Sequence, residues 1–117
     1  MSGLTTHVLD LSHGQPASNV KIDLFFLEAH EWKFIKTVES NSVGRLDEPL
    51  IPENEVKIGT YELVFHVGEY FRSKNIKLQN PAFLEKVPVR FGIANLESHY
   101  HVPLLISPWG YQVYRGS

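Results

Sequence analysis

In the segment His99-Tyr100-His101-Val102-Pro103-Leu104-Leu105-Ile106, every second residue from Tyr100 to Ile106 is apolar. A repeat of two is the repeat of a strand, so Tyr100, Val102, Leu104 and Ile106 share one face. A face that uniformly apolar must turn to a core. His99, His101, Pro103 and Leu105 are thereby committed to the opposite face. The same rule sends Leu4, Thr6 and Val8 inward and Thr5, His7 and Leu9 outward. Near the end it sends Tyr111 and Val113 inward and Gln112 and Tyr114 outward.

Val20-Lys21-Ile22-Asp23-Leu24 alternates apolar and charged residues and predicts a half-buried strand, entered from the turn residues His13-Gly14-Gln15-Pro16. Thr5 to Leu9 reads as a short strand. Further strands are predicted at 32–38, 60–67, 87–93, 100–106 and 111–114, each rich in β-branched or aromatic residues. Residues 69–77 carry the one pattern of helical character. Residues 41–55, rich in Pro, Asn and acidic side chains, read as a long connection or edge segment. About seven short strands in 117 residues argue for an antiparallel sandwich, because a single sheet would leave its apolar face in water. That length fits one domain, residues 1–117, and a 43% hydrophobic fraction is enough to fill one core.

Charge excludes some partners. Eleven Lys and Arg are scattered, and the formal net charge is −2, so no basic stripe is available to neutralise a phosphate backbone and nucleic acid is not expected. With no cysteine there is neither a disulfide framework nor a thiolate site. The segment Met1 to Asp10 lacks the basic start and apolar run of a signal peptide, and no run reaches the roughly 20 apolar residues that span a bilayer. The expectation is a soluble chain with no membrane partner, in the cytoplasm.

The outward faces of three strands mix imidazole, phenol, amide, Leu and Pro, too apolar for sheet that simply meets water. Such a face meets a ligand or another subunit. Histidine moves protons near neutral pH, its unperturbed pKa being about 6.5. The plain alternative is that His99 and His101 are surface residues without a task, and that alternative is stronger for His13, His30 and His66, which fall in turns or at strand ends. His7, His99 and His101 could also offer three nitrogens to a metal. No Asp or Glu follows nearby to complete a carboxylate triad, so no metal is expected.

Taken together, Leu4-Thr5-Thr6-His7-Val8-Leu9-Asp10, Gly44-Arg45, His99-Tyr100-His101-Val102-Pro103-Leu104-Leu105 and the terminal Tyr114-Arg115-Gly116-Ser117 resemble the 5-hydroxyisourate hydrolase family, the transthyretin-related proteins of urate breakdown. The resemblance spans nearly the whole chain, with the pieces in the right order. It implies an all-β, transthyretin-like (prealbumin-like) antiparallel sandwich of two four-stranded sheets with one short helix. It also implies a homotetramer whose dimer-dimer contact forms a channel, and a small-molecule substrate, 5-hydroxyisourate, opened by water to 2-oxo-4-hydroxy-4-carboxy-5-ureidoimidazoline. His7, Arg45, His101 and Ser117 are the implied catalytic set, and His7, Arg45, His99, Tyr114, Arg115 and Gly116 the implied substrate contacts. In a eukaryote a peroxisome would also be open, although Arg115-Gly116-Ser117 is not a Ser-Lys-Leu address. Two places depart from family habit: members more often carry Asp ahead of the Gly44-Arg45 pair, and a Phe-Pro pair near Leu84-Glu85-Lys86.

Hydrolysing a cyclic amide needs an activated water and a group that stabilises the developing oxyanion. Imidazole and guanidinium supply both, and with water as the only co-substrate no cofactor is required. Two rivals belong to other classes. A transthyretin-type carrier would use the same channel without chemistry, but would have Lys, Glu and Thr in place of His7, Arg45 and His101, and would not end Tyr-Arg-Gly-Ser. An immunoglobulin-like surface module would satisfy the strand count alone, but would need export.

Overall fold

A computed structural model describes residues 3–117. Met1 and Ser2, which open the segment read above for a leader, lie outside the described residues. The chain runs β1 (Gly3–Asp10), β2 (Gln15–Pro16), β3 (Lys21–Glu28), β4 (Glu31–Glu39), a 3-10 turn (Glu53–Glu55), β5 (Gly59–Phe65), α1 (Val67–Ser73), β6 (Val87–Ile93), β7 (His99–Ser107) and β8 (Gly110–Val113). The strands form two four-stranded sheets, ordered β2-β1-β7-β8 and β4-β3-β5-β6. Pairing is antiparallel except between β1 and β7, which run parallel.

The core lies between the sheets. Leu4, Val8, Tyr100, Val102, Leu104 and Ile106 from one sheet meet Ile22, Leu24, Tyr61, Leu63, Phe65 and Val89 from the other, all buried. The period-two faces assigned to β1 and β7 are those observed, with one change: Pro103 is buried on the outer face, beneath the chain end. Val113 and Tyr111 pair with Leu104 and Ile106, which puts them on the inward side. They stay exposed all the same, because β8 is an edge strand overhanging the core.

The alternation of Val20 to Leu24 ends where it does for a structural reason. The register of β3 against β4 slips between Leu24 and Phe25, a bulge that breaks the alternation of faces. The strand continues to Glu28, with Phe25, Phe26 and Leu27 only half-buried. Helix α1 starts two residues earlier than predicted and stops at Ser73. Asn75 takes a left-handed φ of 63°, and the Ile76 amide returns to the Phe71 carbonyl, which ends the helix. Glu85, in the segment that departs from family habit, accepts a two-pronged pair of bonds from Arg72, at 2.7 and 2.6 Å. Gly68 lies against Glu85 so closely that a Cβ there would collide with its carboxylate.

A buried carboxylate joins the end of β1 to α1. Burial opposes the charge of Asp10, but donors from Tyr70, Ser12 and His13 outweigh it and hold its carboxyl below the usual range. A hydrogen bond to a charged group contributes about 1.5–3 kcal/mol. Tyr70→Phe should therefore lower the urea unfolding free energy by about that much at neutral pH. A depressed carboxyl contributes stability above its unfolded pKa and loses it as pH falls through the folded one, so the gap to wild type should narrow below about pH 4. A gap that is constant with pH would show that the bond does not act through the Asp10 charge.

Candidate active site

Parallel pairing of β1 with β7 sets Thr5 directly opposite His101, Gly3 opposite His99 and His7 opposite Pro103. Because His99 and His101 share a face with Thr5 and His7, the Thr5 hydroxyl comes between the two imidazoles. Its Oγ1 lies 3.1 Å from His99 Nε2 and 2.8 Å from His101 Nδ1. The rings stand nearly parallel, 6.3 Å apart between centroids.

The connection after β4 brings the guanidinium. It touches the free edge of β1 twice: the Val8 amide donates to the Gly44 carbonyl at 2.8 Å, and Leu4 and Ile51 exchange backbone bonds. Between these anchors residues 45–49 arch over Thr5 and Thr6. Gly44 has a φ of +78°, and a Cβ on it would strike the Val8 carbonyl oxygen, so no other residue fits this crossing without shifting the strand. The turn is tied internally by Asn41, whose side-chain oxygen accepts from the amides of Val43 and Arg45. This local geometry stands without the Asp usual ahead of the Gly-Arg pair.

The result is a pocket of about 390 Å³, within the size range of small-ligand sites. Arg45 to Pro49 form one wall, Thr5, Thr6, His99 and His101 the other, and Ser117 lies at the rim. Four of the residues singled out in the sequence, Arg45, His99, His101 and Ser117, thus converge. His7 flanks them, its Nε2 2.9 Å from the Val43 carbonyl. A carbonyl only accepts, so Nε2 carries the proton and the neutral ring keeps its lone pair on Nδ1.

The chain end divides. Gly116 donates its amide to the His101 carbonyl at 2.8 Å and packs on the ring, where a Cβ would stand 2.6 Å from His101 Cδ2. Tyr114 and Arg115 lie outside this pocket, lining a neighbouring groove with Tyr100, His101 and Val113. Arg115 lies 4.2 Å over the Tyr100 ring. Strand β8 ends at Val113, so the alternation that would have carried Tyr114 to the histidine face is not continued. Sequence reasoning placed Thr5 on the right face but gave it no role. Its signal was there, since it lies two residues from His7 and faces the same way.

Burial and then the nearby Arg45 charge push His7 below the ordinary imidazole value, against the pull of the Val43 carbonyl. The same two causes, followed by His99 and His7, lower His101. Both rings are therefore biased toward the neutral form at neutral pH, the form a base requires.

The sequence and the fold have close counterparts among known proteins. Residues 4–116 match the profile described as HIUase/Transthyretin family. The chain belongs to that family. It is 60% identical to 5-hydroxyisourate hydrolase 2 of Rhizobium meliloti (strain 1021), over 97% of this chain and 95% of that one. It is 48% identical to a 5-hydroxyisourate hydrolase of Pseudomonas aeruginosa, over 100% of this chain and 93% of the relative. Among solved structures, (S)-allantoin synthase superposes with a TM-score of 0.92 at 43% identity, covering 99% of this chain, which spans 44% of that longer protein. Klebsiella pneumoniae 5-hydroxyisourate hydrolase superposes with a TM-score of 0.81 at 30% identity, with both chains fully covered. The HIUase/transthyretin fold accounts for the two-sheet sandwich.

If Arg45 holds the imidazoles neutral, Arg45→Gln should raise the titration midpoints of His7 and His101 toward 6.5 when followed by NMR of the ring protons. Midpoints that stay where they are would assign the depression to burial alone.

Proposed function

We propose that the chain hydrolyses 5-hydroxyisourate to 2-oxo-4-hydroxy-4-carboxy-5-ureidoimidazoline, by attack of an imidazole-activated water on a ring carbonyl. One observation carries this reading: two imidazoles held neutral sit beside one guanidinium, at and beside a pocket sized for a small ligand. The full-length similarity to proteins named for that activity supports it. Water bound between the rings loses a proton to a neutral imidazole as its oxygen attacks. Arg45 holds the charge that develops on the carbonyl oxygen, and Ser117 orients the ring from the rim. Gly116, packed on His101, completes the substrate contacts, and Tyr114 and Arg115 reach the substrate from the neighbouring groove. The reaction runs in the cytoplasm.

The pocket opens on the outer face of the β2-β1-β7-β8 sheet, and an open face does not exclude water on its own. We assign the chain to a homotetramer in which two such faces meet and close a channel. A carrier role fits the residues less well, since binding alone needs neither neutral imidazoles nor a guanidinium beside them.

Freshly made 5-hydroxyisourate should lose its ultraviolet absorbance well faster with the protein than without it, with chelator present. Equal decay in both cuvettes would sink the assignment. His7→Asn and His101→Asn should each lower the rate by about 10² to 10⁴ fold, the range for a positioned acid or base. His13→Asn, whose ring is engaged with Asp10, should change it little. Light scattering should report a tetramer for all of these forms.

Deleting Tyr114 to Ser117 removes the cover over His101 and Pro103 but no side chain of the inter-sheet core. Turnover should fall steeply while circular dichroism is retained. Full activity of the truncated form would take the tetrapeptide out of the mechanism.

A further inference from the structure

The Thr5 hydroxyl touches both imidazoles and owns a single proton. It can donate to one ring only, and must accept from the other. The neutral tautomers of His99 and His101 are thereby tied together. If Thr5 donates to His101 Nδ1, His99 carries its proton on Nε2 and His101 carries its own on Nε2. If Thr5 donates to His99 Nε2, both protons move to the Nδ1 atoms.

The surroundings of His99 decide between these states. Its Nδ1 is buried and has no hydrogen-bond partner among the described residues. A buried N–H without an acceptor is rarer in proteins than a buried acceptor left bare, so the proton belongs on Nε2, where Thr5 receives it. The Thr5 hydroxyl proton must then go to His101 Nδ1. Among the described residues the Thr5 hydroxyl, at 2.8 Å, is the hydrogen-bond partner that the geometry gives His101 Nδ1.

We infer that Thr5 and His99 are positioning residues that lock neutral His101 in the tautomer with its proton on Nε2, and that His7, not His101, is the base. The catalytic half of this inference rests on the hydrolase reading; the tautomer half does not. His7 has the complementary arrangement, since its Nε2 proton is held by the Val43 carbonyl and its bare nitrogen is Nδ1. The electron count is simple. The water oxygen bonds to the ring carbonyl carbon and its proton passes to His7 Nδ1. The carbonyl π pair moves to oxygen, where the His101 Nε2–H and Arg45 stabilise it. When the oxyanion collapses and the C–N bond breaks, the proton on His7 goes to the departing nitrogen. No proton leaves His101 at any step, so a ring held toward the neutral form by burial and Arg45 suits this role. The other charged groups on this pocket, Asp47 and Glu48, come from the arching connection.

The test is nitrogen-15 NMR of the histidine rings in the intact protein at pH 8, where both rings are neutral, with turnover measured beside it. His101 should show the pattern of a ring protonated on Nε2, and His7 the same. Thr5→Val, which keeps the shape and removes the hydroxyl, should convert the His101 pattern to a mixture of tautomers. It should also lower kcat about tenfold with KM nearly unchanged, the kinetic equivalent of one ordinary hydrogen bond. Thr5→Ser should restore both. A wild-type His101 protonated on Nδ1 would overturn the inference outright and needs no variant to fold. An unchanged pattern in Thr5→Val would remove Thr5 from the role. If the protein fails to hydrolyse 5-hydroxyisourate while the ring patterns come out as stated, the hydrolase reading fails and the tautomer lock stands.

Discussion

Parallel pairing between β1 and β7 is the constraint on which the site depends. In an antiparallel pair, close and wide positions alternate along the ladder; in a parallel pair the bonds are slanted and evenly spaced. Here the even spacing runs from Gly3 against His99 to Asp10 against Ile106 without a slip. A slip of one residue would send Thr5 and His7 into the core and bring Leu4 and Thr6 out. The core forbids this, because Leu4, Val8, Tyr100, Val102, Leu104 and Ile106 are buried together. Packing on the inner face thus fixes which residues meet across the strands on the outer face.

The second requirement is a strand edge left partly free. The short β2 covers only Leu9 and Asp10, so the rest of that edge of β1 is open to the connection after β4. Backbone bonds at Val8 and Leu4 use up that edge and suspend Arg45 between them. A loop pinned at both ends to a core strand places a side chain nearly as firmly as a strand does. This explains how a residue from an irregular segment can act, after burial, on the basicity of two histidines.

Much of this was legible in the sequence because the relevant signals have period two. The inward and outward sets of β1 and β7 follow from alternation, the strand at 87–93 from its β-branched and aromatic content, and the sandwich from the number of short strands. Alternation fails where the backbone departs from ideal pairing. The bulge after Leu24 hid the second half of β3, the left-handed Asn75 stopped α1 before Lys77, and the end of β8 at Val113 freed Tyr114 from the face its parity assigns. The Asn41 turn that presents Arg45 leaves only a weak trace, since Asn in a connection is common. Thr5 was passed over for a different reason. Threonine is an ordinary strand residue, and only the register of a partner 96 positions away gives it two imidazoles to hold.

The depressed basicity of the two histidines has a consequence for what the site does when something binds. After burial, Arg45 is the nearby charge that most lowers their proton affinity. An anion that settles on Arg45 cancels that repulsion, so the imidazoles regain proton affinity as it enters. By linkage the reverse also holds: the more protons the site carries, the tighter it grips an anion. Binding of an anionic ligand near pH 6 should therefore draw protons from solution, and its affinity should climb as the medium becomes more acidic.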